Sequence, residues 1–120
     1  KFKNIDVFSK EFDALDYDIA IATLFLHHFK EDEIIHLLVK LNTNARLGVI
    51  INDLPRHKLA YYVFKLVSFF IDNAMVQHDG LISILRGFKR NELEYLTKRL
   101  KFNSSIRWKW AFRYQWIIHK

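Results

Sequence analysis

The pattern of hydrophobic and polar positions is dominated by two short apolar runs with a stretch of helical spacing between them. After Asp18 come Ile19, Ala20, Ile21, Ala22, Thr23 and Leu24, a run rich in β-branched residues that predicts a strand buried on both faces. From Glu31 to Leu41 the apolar positions Ile34, Leu37, Leu38 and Leu41 recur at helical spacing, and Glu31, Asp32 and Glu33 fill the first turn, where the helix dipole favours negative charge. Gly48 to Asp53, GVIIND, is the second run. Tyr17 to Asp53 is therefore expected to be one right-handed strand, helix, strand unit of a parallel sheet. Ligands of such sheets sit beyond the carboxyl ends of the strands, here Thr23 to Phe29 and Asn52 to His57.

The flanking segments are read from the same pattern. Phe2 to Phe8 predicts a short strand, and Ser9 to Tyr17 a polar connector. Pro55 suits a helix start, where its missing N–H costs nothing. From Leu59 to Ile71 the chain is apolar nearly all round, broken by Lys65 and Ser68, which predicts a buried or lid helix; the run is too short for the roughly 20 residues of a membrane span. Asp79-Gly80 signals a turn. Asn91, with Glu94 three residues on, predicts a capped helix whose stripe is Leu93, Leu96 and Leu100, ended by Asn103 and Ser104. Ser105 to His119 reads as two strands that turn near Ala111 to Arg113.

Composition changes this picture in two places. A chain of 120 residues with 51% hydrophobic and 27% charged side chains is expected to be one folded domain, residues 1–120. A net charge of +6 with 16% aromatic residues raises nucleic acid as a partner, most strongly at Arg107, Trp108, Lys109, Trp110, Phe112, Arg113, Tyr114 and Trp116. Strict alternation there puts aromatics on one face and bases on the other, so a half-solvated strand is expected and nucleic acid is not. The absence of cysteine excludes disulfides and thiolate metal sites, and a cytoplasmic location fits. Lys1 stands where a methionine would open a reading frame, so a preceding segment is expected.

Candidate chemistry gathers at the two strand ends. His27 and His28 follow the first strand; neighbours in sequence project in different directions, and no HExxH or cysteine accompanies them, so no metal site is expected. Asp53, Arg56, His57 and Tyr61 follow the second strand and are expected to face one cleft with His28. His78 and Asp79 form a base and its orienting partner only if their side chains face each other.

The blocks DYDIAIATLFLHHF, GVIINDLPRHKLAYYVF, HDGLISILRGFKRNELEYL and IRWKWAFRYQWII, in that order and spacing, resemble the carboxyl-terminal half of a class I S-adenosylmethionine-dependent methyltransferase. They are most similar to the small-molecule branch that includes quinone and polyketide methyltransferases. The resemblance implies an α/β fold, a partial Rossmann-like sheet made of a βαβ unit and a carboxyl-terminal antiparallel hairpin, the last strand lying beside Val49 to Asn52. The family opens with a glycine-rich loop and an acidic residue ending its second strand; with only Gly48, Gly80 and Gly87, no such cluster is present here.

That resemblance also implies roles. The methyl donor S-adenosylmethionine would lie along Thr23, Leu24, Phe25 and His27, with Lys10 or Glu11 near its adenine. Asp53, Arg56, Tyr61 and His78 would meet a small-molecule acceptor, and one of His27, His28, His57 or His78 would serve as general base, His28 and His57 first among them. Methyl transfer depends chiefly on holding donor and acceptor in line, so few catalytic residues are needed. The rival readings are a non-catalytic interaction module and a basic nucleic-acid-binding domain. Without the family's other half, the strand Ile19 to Leu24 is left as an open edge and is expected to self-associate.

Overall fold

A computed structural model describes residues 2–120 of the chain. Its elements in chain order are α1 (Lys10–Asp13), β1 (Tyr17–Thr23), a 3-10 turn (Leu26–His28), α2 (Glu31–Asn44), β2 (Ala45–Asp53), α3 (Lys58–Ser68), α4 (Ala74–Leu85), α5 (Arg90–Leu100), β3 (Asn103–Lys109) and β4 (Arg113–His119). The four strands form one sheet in the order β1, β2, β4, β3. β1 and β2 are parallel, Ala20 opposite Val49 and Ala22 opposite Ile51; β4 runs antiparallel to both its neighbours, Ile51 opposite Trp116. The βαβ unit and the terminal hairpin thus stand as the apolar pattern predicts.

One face of the sheet carries the core. Val49, Ile51, Trp116 and Ile118 point to it with Ala20, and meet Ile34, Leu37, Leu38 and Leu41 of α2 and Leu93 and Leu96 of α5. Each fully buried side chain of this size contributes about 1.5–3 kcal/mol by leaving water. The indole N–H of Trp116 is not wasted: it donates to Ser104 Oγ at 2.9 Å. Arg99 on α5 and Glu31 at the start of α2 join the two helices across the surface, 3.0 Å apart.

Several expectations fail on the flanks, each for a physical reason. Residues 2–8 form no strand; the segment folds back on α2, where Val7 O accepts from Lys40 Nζ and Phe8 packs edge-on to Phe29. The connector after it contains α1, capped by Ser9 Oγ accepting from Phe12 N–H. β1 is not buried on both faces: Ile19 and Ile21 are 47% and 68% exposed, because the strand is the sheet edge and the helices α2 and α5 pack on the other face. Pro55 does not open a helix; it bridges to Phe88, and α3 starts three residues later behind His57. Asp79-Gly80 is no turn but the middle of α4, where Gly80 makes room for Phe64: a Cβ there would lie 2.2 Å from the ring.

The cap of α5 is displaced as well. Lys89, not Asn91, is the cap residue, and Glu92 rather than Glu94 reaches back to accept its N–H at 2.9 Å. The helix ends at Leu100, with Lys101 in the left-handed region, so Asn103 and Ser104 belong to β3. The hairpin turns at Ala111 and Phe112, both also left-handed, without the glycine that normally marks such a turn. Along the hairpin Trp116 is buried, whereas Trp108 and Trp110 are exposed together with Arg107, Lys109 and Arg113, so the aromatics do not all line an inner face.

α3 and α4 pack on each other as a hairpin. Of α3 only Ala60 and Ser68 are buried. Leu59, Tyr62, Leu66 and Val67 are exposed, as are Phe69 and Phe70 beyond its end, both 82%, so the buried-helix expectation for Leu59 to Ile71 holds on one narrow stripe only. Among the described residues no helix is long and apolar enough to cross a membrane. At the far end of β1, Arg46 hydrogen-bonds Asp16 at 2.6 Å and holds its carboxyl below the usual carboxylate range.

Candidate functional site

The carboxyl ends of β1 and β2 are tied together by one buried carboxylate. Asp53, the last residue of β2, is 2% exposed and accepts three hydrogen bonds: from Leu26 N–H at 2.8 Å, from its neighbour Leu54 N–H at 2.8 Å, and from His27 Nδ1 at 2.6 Å. A buried carboxylate is tolerable only with such a set of donors. The consequence for His27 is a fixed tautomer: with Nδ1–H donating to Asp53, the neutral ring carries its lone pair on Nε2. Backbone strain marks the same spot. Leu24 stands at φ 51, a region a branched side chain seldom enters, held there by its N–H donating to Asn52 O at 2.8 Å.

His27 and Leu24 line a cleft of about 350 Å³ together with His28, Leu54, Phe64 and Ser83. The rings of His27 and His28 lie 4.1 Å apart, His28 exposed at the mouth and His27 buried beneath. Ile84 of α4 forms part of this wall and also of a second cleft of about 410 Å³, lined by Arg56, His57, Lys58, Tyr61, Tyr62 and Lys89 among others. Its position comes from a backbone clasp: Arg56 N–H donates to Phe88 O and Phe88 N–H to Leu54 O, at 2.9 and 2.8 Å. Gly87 allows that approach, since a Cβ there would fall 2.7 Å from Leu54 O. The clasp brings the starts of α3 and α5 to the same place.

The residues expected to share one cleft are therefore divided. Arg56, His57 and Tyr61 share the second cleft, His28 opens on the first, and Asp53 lies beneath the first as its support, lining neither. His57 Nδ1 accepts from Leu59 N–H at 3.1 Å and caps α3, so its neutral ring offers Nε2–H, a donor. Arg56 is pinned by Gly87 O at 3.2 Å and by an ion pair with Glu92. Thr23 is exposed at the end of β1, and Phe25 packs edge-on to Phe29, 4.9 Å between ring centres. Lys10 and Glu11 are exposed on α1, and His78 and Asp79 are exposed neighbours on α4; none of the four lines either cleft. No group of three or more His, Cys, Asp or Glu side chains placed to hold a metal ion occurs among the described residues.

Sequence reasoning did not find the His27–Asp53 pair, nor Lys58 and Lys89 beside Arg56. The signal available was a carboxylate ending an otherwise apolar strand, which demands a donor from somewhere distant.

Neither a protein-family model nor a curated protein sequence matches the chain. Among solved structures it is similar to an O-methyltransferase family protein from Burkholderia thailandensis, with TM-score 0.65 and 9% identity over 100% of this chain and 35% of that one. A candidate O-methyltransferase from Nostoc punctiforme PCC 73102 gives TM-score 0.57 and 21% identity over 88% of this chain and 32% of that one. Magnesium protoporphyrin IX methyltransferase from Synechocystis PCC 6803, solved with bound SAH, gives 0.50 and 15% over 89% of this chain and 47% of that one. The chain spans from about a third to just under half the length of these structures. The likeness fixes the fold: an α/β, Rossmann-like sheet of the kind methyltransferases have.

Proposed function

We propose that this chain is the carboxyl-terminal part of an S-adenosylmethionine-dependent methyltransferase acting on a small molecule. The observation that carries the reading is the His27–Asp53 pair, buried at the carboxyl ends of two parallel strands and opening on a cleft. The three fold neighbours are methyltransferases or members of such a family by name, and one holds SAH, which supports the donor.

When bound, S-adenosylmethionine supplies an electrophilic methyl group on a sulfonium. The residues present fit part of such a molecule: left-handed Leu24 turns the chain beyond β1, beside the cleft and next to exposed Thr23. Gly48 lies in a strand, Gly80 in a helix, and Gly87 serves the clasp to Leu54, so none forms a loop that cradles a nucleoside. In this reading His27 accepts the acceptor's hydroxyl proton at Nε2, while Asp53 keeps Nδ1 protonated and stabilises the imidazolium that results. The acceptor oxygen so freed of its proton would take the methyl group that a bound donor supplies. His28, at the mouth, contacts the acceptor. His57 is the weaker candidate for base, because its free nitrogen bears the proton.

The test is calorimetric titration with S-adenosylhomocysteine, run on the 120-residue chain and on a form that carries residues upstream of Lys1, with transfer of a labelled methyl group measured beside it. Binding and transfer are expected from the longer form and neither from the shorter. Losing the ribose and loop contacts removes several charge-assisted hydrogen bonds at about 1.5–3 kcal/mol each, or several powers of ten in affinity. Failure of the longer form would refute the transferase reading and favour a non-catalytic interaction module. Micromolar binding by the short chain would refute the division of the donor site.

A further inference from the structure

The cleft beside Arg56 has a chemistry that the methyltransferase reading does not use. Its lining includes Arg56, Lys58 and Lys89 and no aspartate or glutamate. Only Arg56 has a carboxylate partner, Glu92, which also accepts the Lys89 N–H and does not line the cleft. Among the described residues neither Lys58 nor Lys89 has a carboxylate within 4.0 Å. Lys58 opens α3 and Lys89 caps α5, so the positive ends of two helix dipoles add to the same field. The clasp between residues 54–56 and 87–88 fixes both ends relative to each other, so the positive charge is gathered by the fold and not by loose side chains alone.

The rest of the lining is aromatic. Tyr61 and Tyr62 stand edge to face, ring centres 5.5 Å apart, and Ile84 closes the cleft beneath them. At about 410 Å³ the space is that of a small-molecule site. We infer that this cleft is an anion-binding acceptor site for a small aromatic carboxylate, its carboxylate on Lys58 and Lys89 and its ring on Tyr61 and Tyr62. The inference rests on the proposed methyl-transfer function and names the class of acceptor. Ile84 lines both clefts, so this site adjoins the one at His27 and His28.

The probe is 4-hydroxybenzoate, titrated into the protein without methyl donor while the backbone amides of Lys58 and Lys89 and the rings of Tyr61 and Tyr62 are followed by NMR. Binding should be at least about tenfold tighter than that of its uncharged methyl ester, and Lys58→Gln and Lys89→Gln should each weaken it about tenfold. Lys65→Gln, an exposed change on α3 that does not line the cleft, should leave it unaltered and reports on folding. Equal binding of acid and ester would overturn the proposal, as would inorganic phosphate binding as tightly as the acid, which would leave a simple anion site. Because no donor is present, acid binding that survives while S-adenosylhomocysteine binding fails strikes only the transferase reading. The converse result strikes only the substrate class.

Discussion

Replacing Asp53 by asparagine isolates what the buried carboxylate contributes. The change keeps the shape and one carbonyl oxygen, which can serve His27 Nδ1–H and Leu54 N–H as Oδ1 does now. The amide nitrogen then faces the Leu26 N–H, donor against donor, where Oδ2 accepted at 2.8 Å. Losing that charge-assisted bond costs about 1.5–3 kcal/mol, and leaving buried donors unpaired about 1–3 kcal/mol more. A total of roughly 2.5–6 kcal/mol follows, a range that includes the loss on breaking other buried charge pairs. With an unfolding entropy of about 2.1 cal/mol/K per residue, even the lower figure lowers Tm by roughly 10 °C for a chain of this length. Urea unfolding should show the midpoint fall with its slope unchanged. His28→Asn, at the exposed neighbour, should stay within about 0.5 kcal/mol. A loss under about 1 kcal/mol for Asp53→Asn would refute the claim that this carboxylate holds the turn after β1.

Three further outcomes are expected. Gly80→Ala should destabilise by about 1 kcal/mol in urea unfolding, although alanine in a helix ordinarily gains about that much, because its Cβ displaces the Phe64 ring; a stabilised variant would show that the ring moves freely. Light scattering should find the 14.5 kDa chain self-associated, and Ile21→Lys, on the open edge strand, should restore the monomer; a stable monomer before substitution would refute an adhesive edge. In an NMR titration Asp16 should ionise below the usual carboxylate range and return to it in Arg46→Gln. Because the folded value is the lower one, the pair's contribution is present above the unfolded pKa and is lost as pH falls through the folded one.

What the sequence disclosed follows the range of the forces involved. The βαβ unit and the hairpin were legible because their apolar periods report directly on one buried face: Ile34, Leu37, Leu38 and Leu41 were read as a stripe and pack as one. The α3–α4 hairpin was misjudged because apolar character was taken for burial, although Leu66 and Phe70 face water. Gly80 was misread because a glycine that yields space to Phe64 looks, in one dimension, like a glycine that turns the chain. At the site, Arg56, His57 and Tyr61 line one cleft because they leave one strand end within a few residues, whereas His28 and Asp53, expected beside them, do not line it. The His27–Asp53 bond spans the whole α2–β2 segment, and Lys89 reaches the cleft only through the clasp at Phe88. No local pattern encodes either.

The place of β4 in the sheet also governs the order in which the molecule can assemble. It is the latest of the four strands in the chain and yet lies between β2 and β3, so that Ile51 must wait for Trp116 while Ala20 can meet Val49 early. A chain emerging from the ribosome can complete the βαβ unit and still carry β2 with an uncovered flank until residues 113–119 have emerged. Pairing across so long a stretch of chain forms more slowly, on entropic grounds, than the β1–β2 ladder. Residues 113–119 therefore act as a late fastener, closing a flank of β2 that no earlier strand covers.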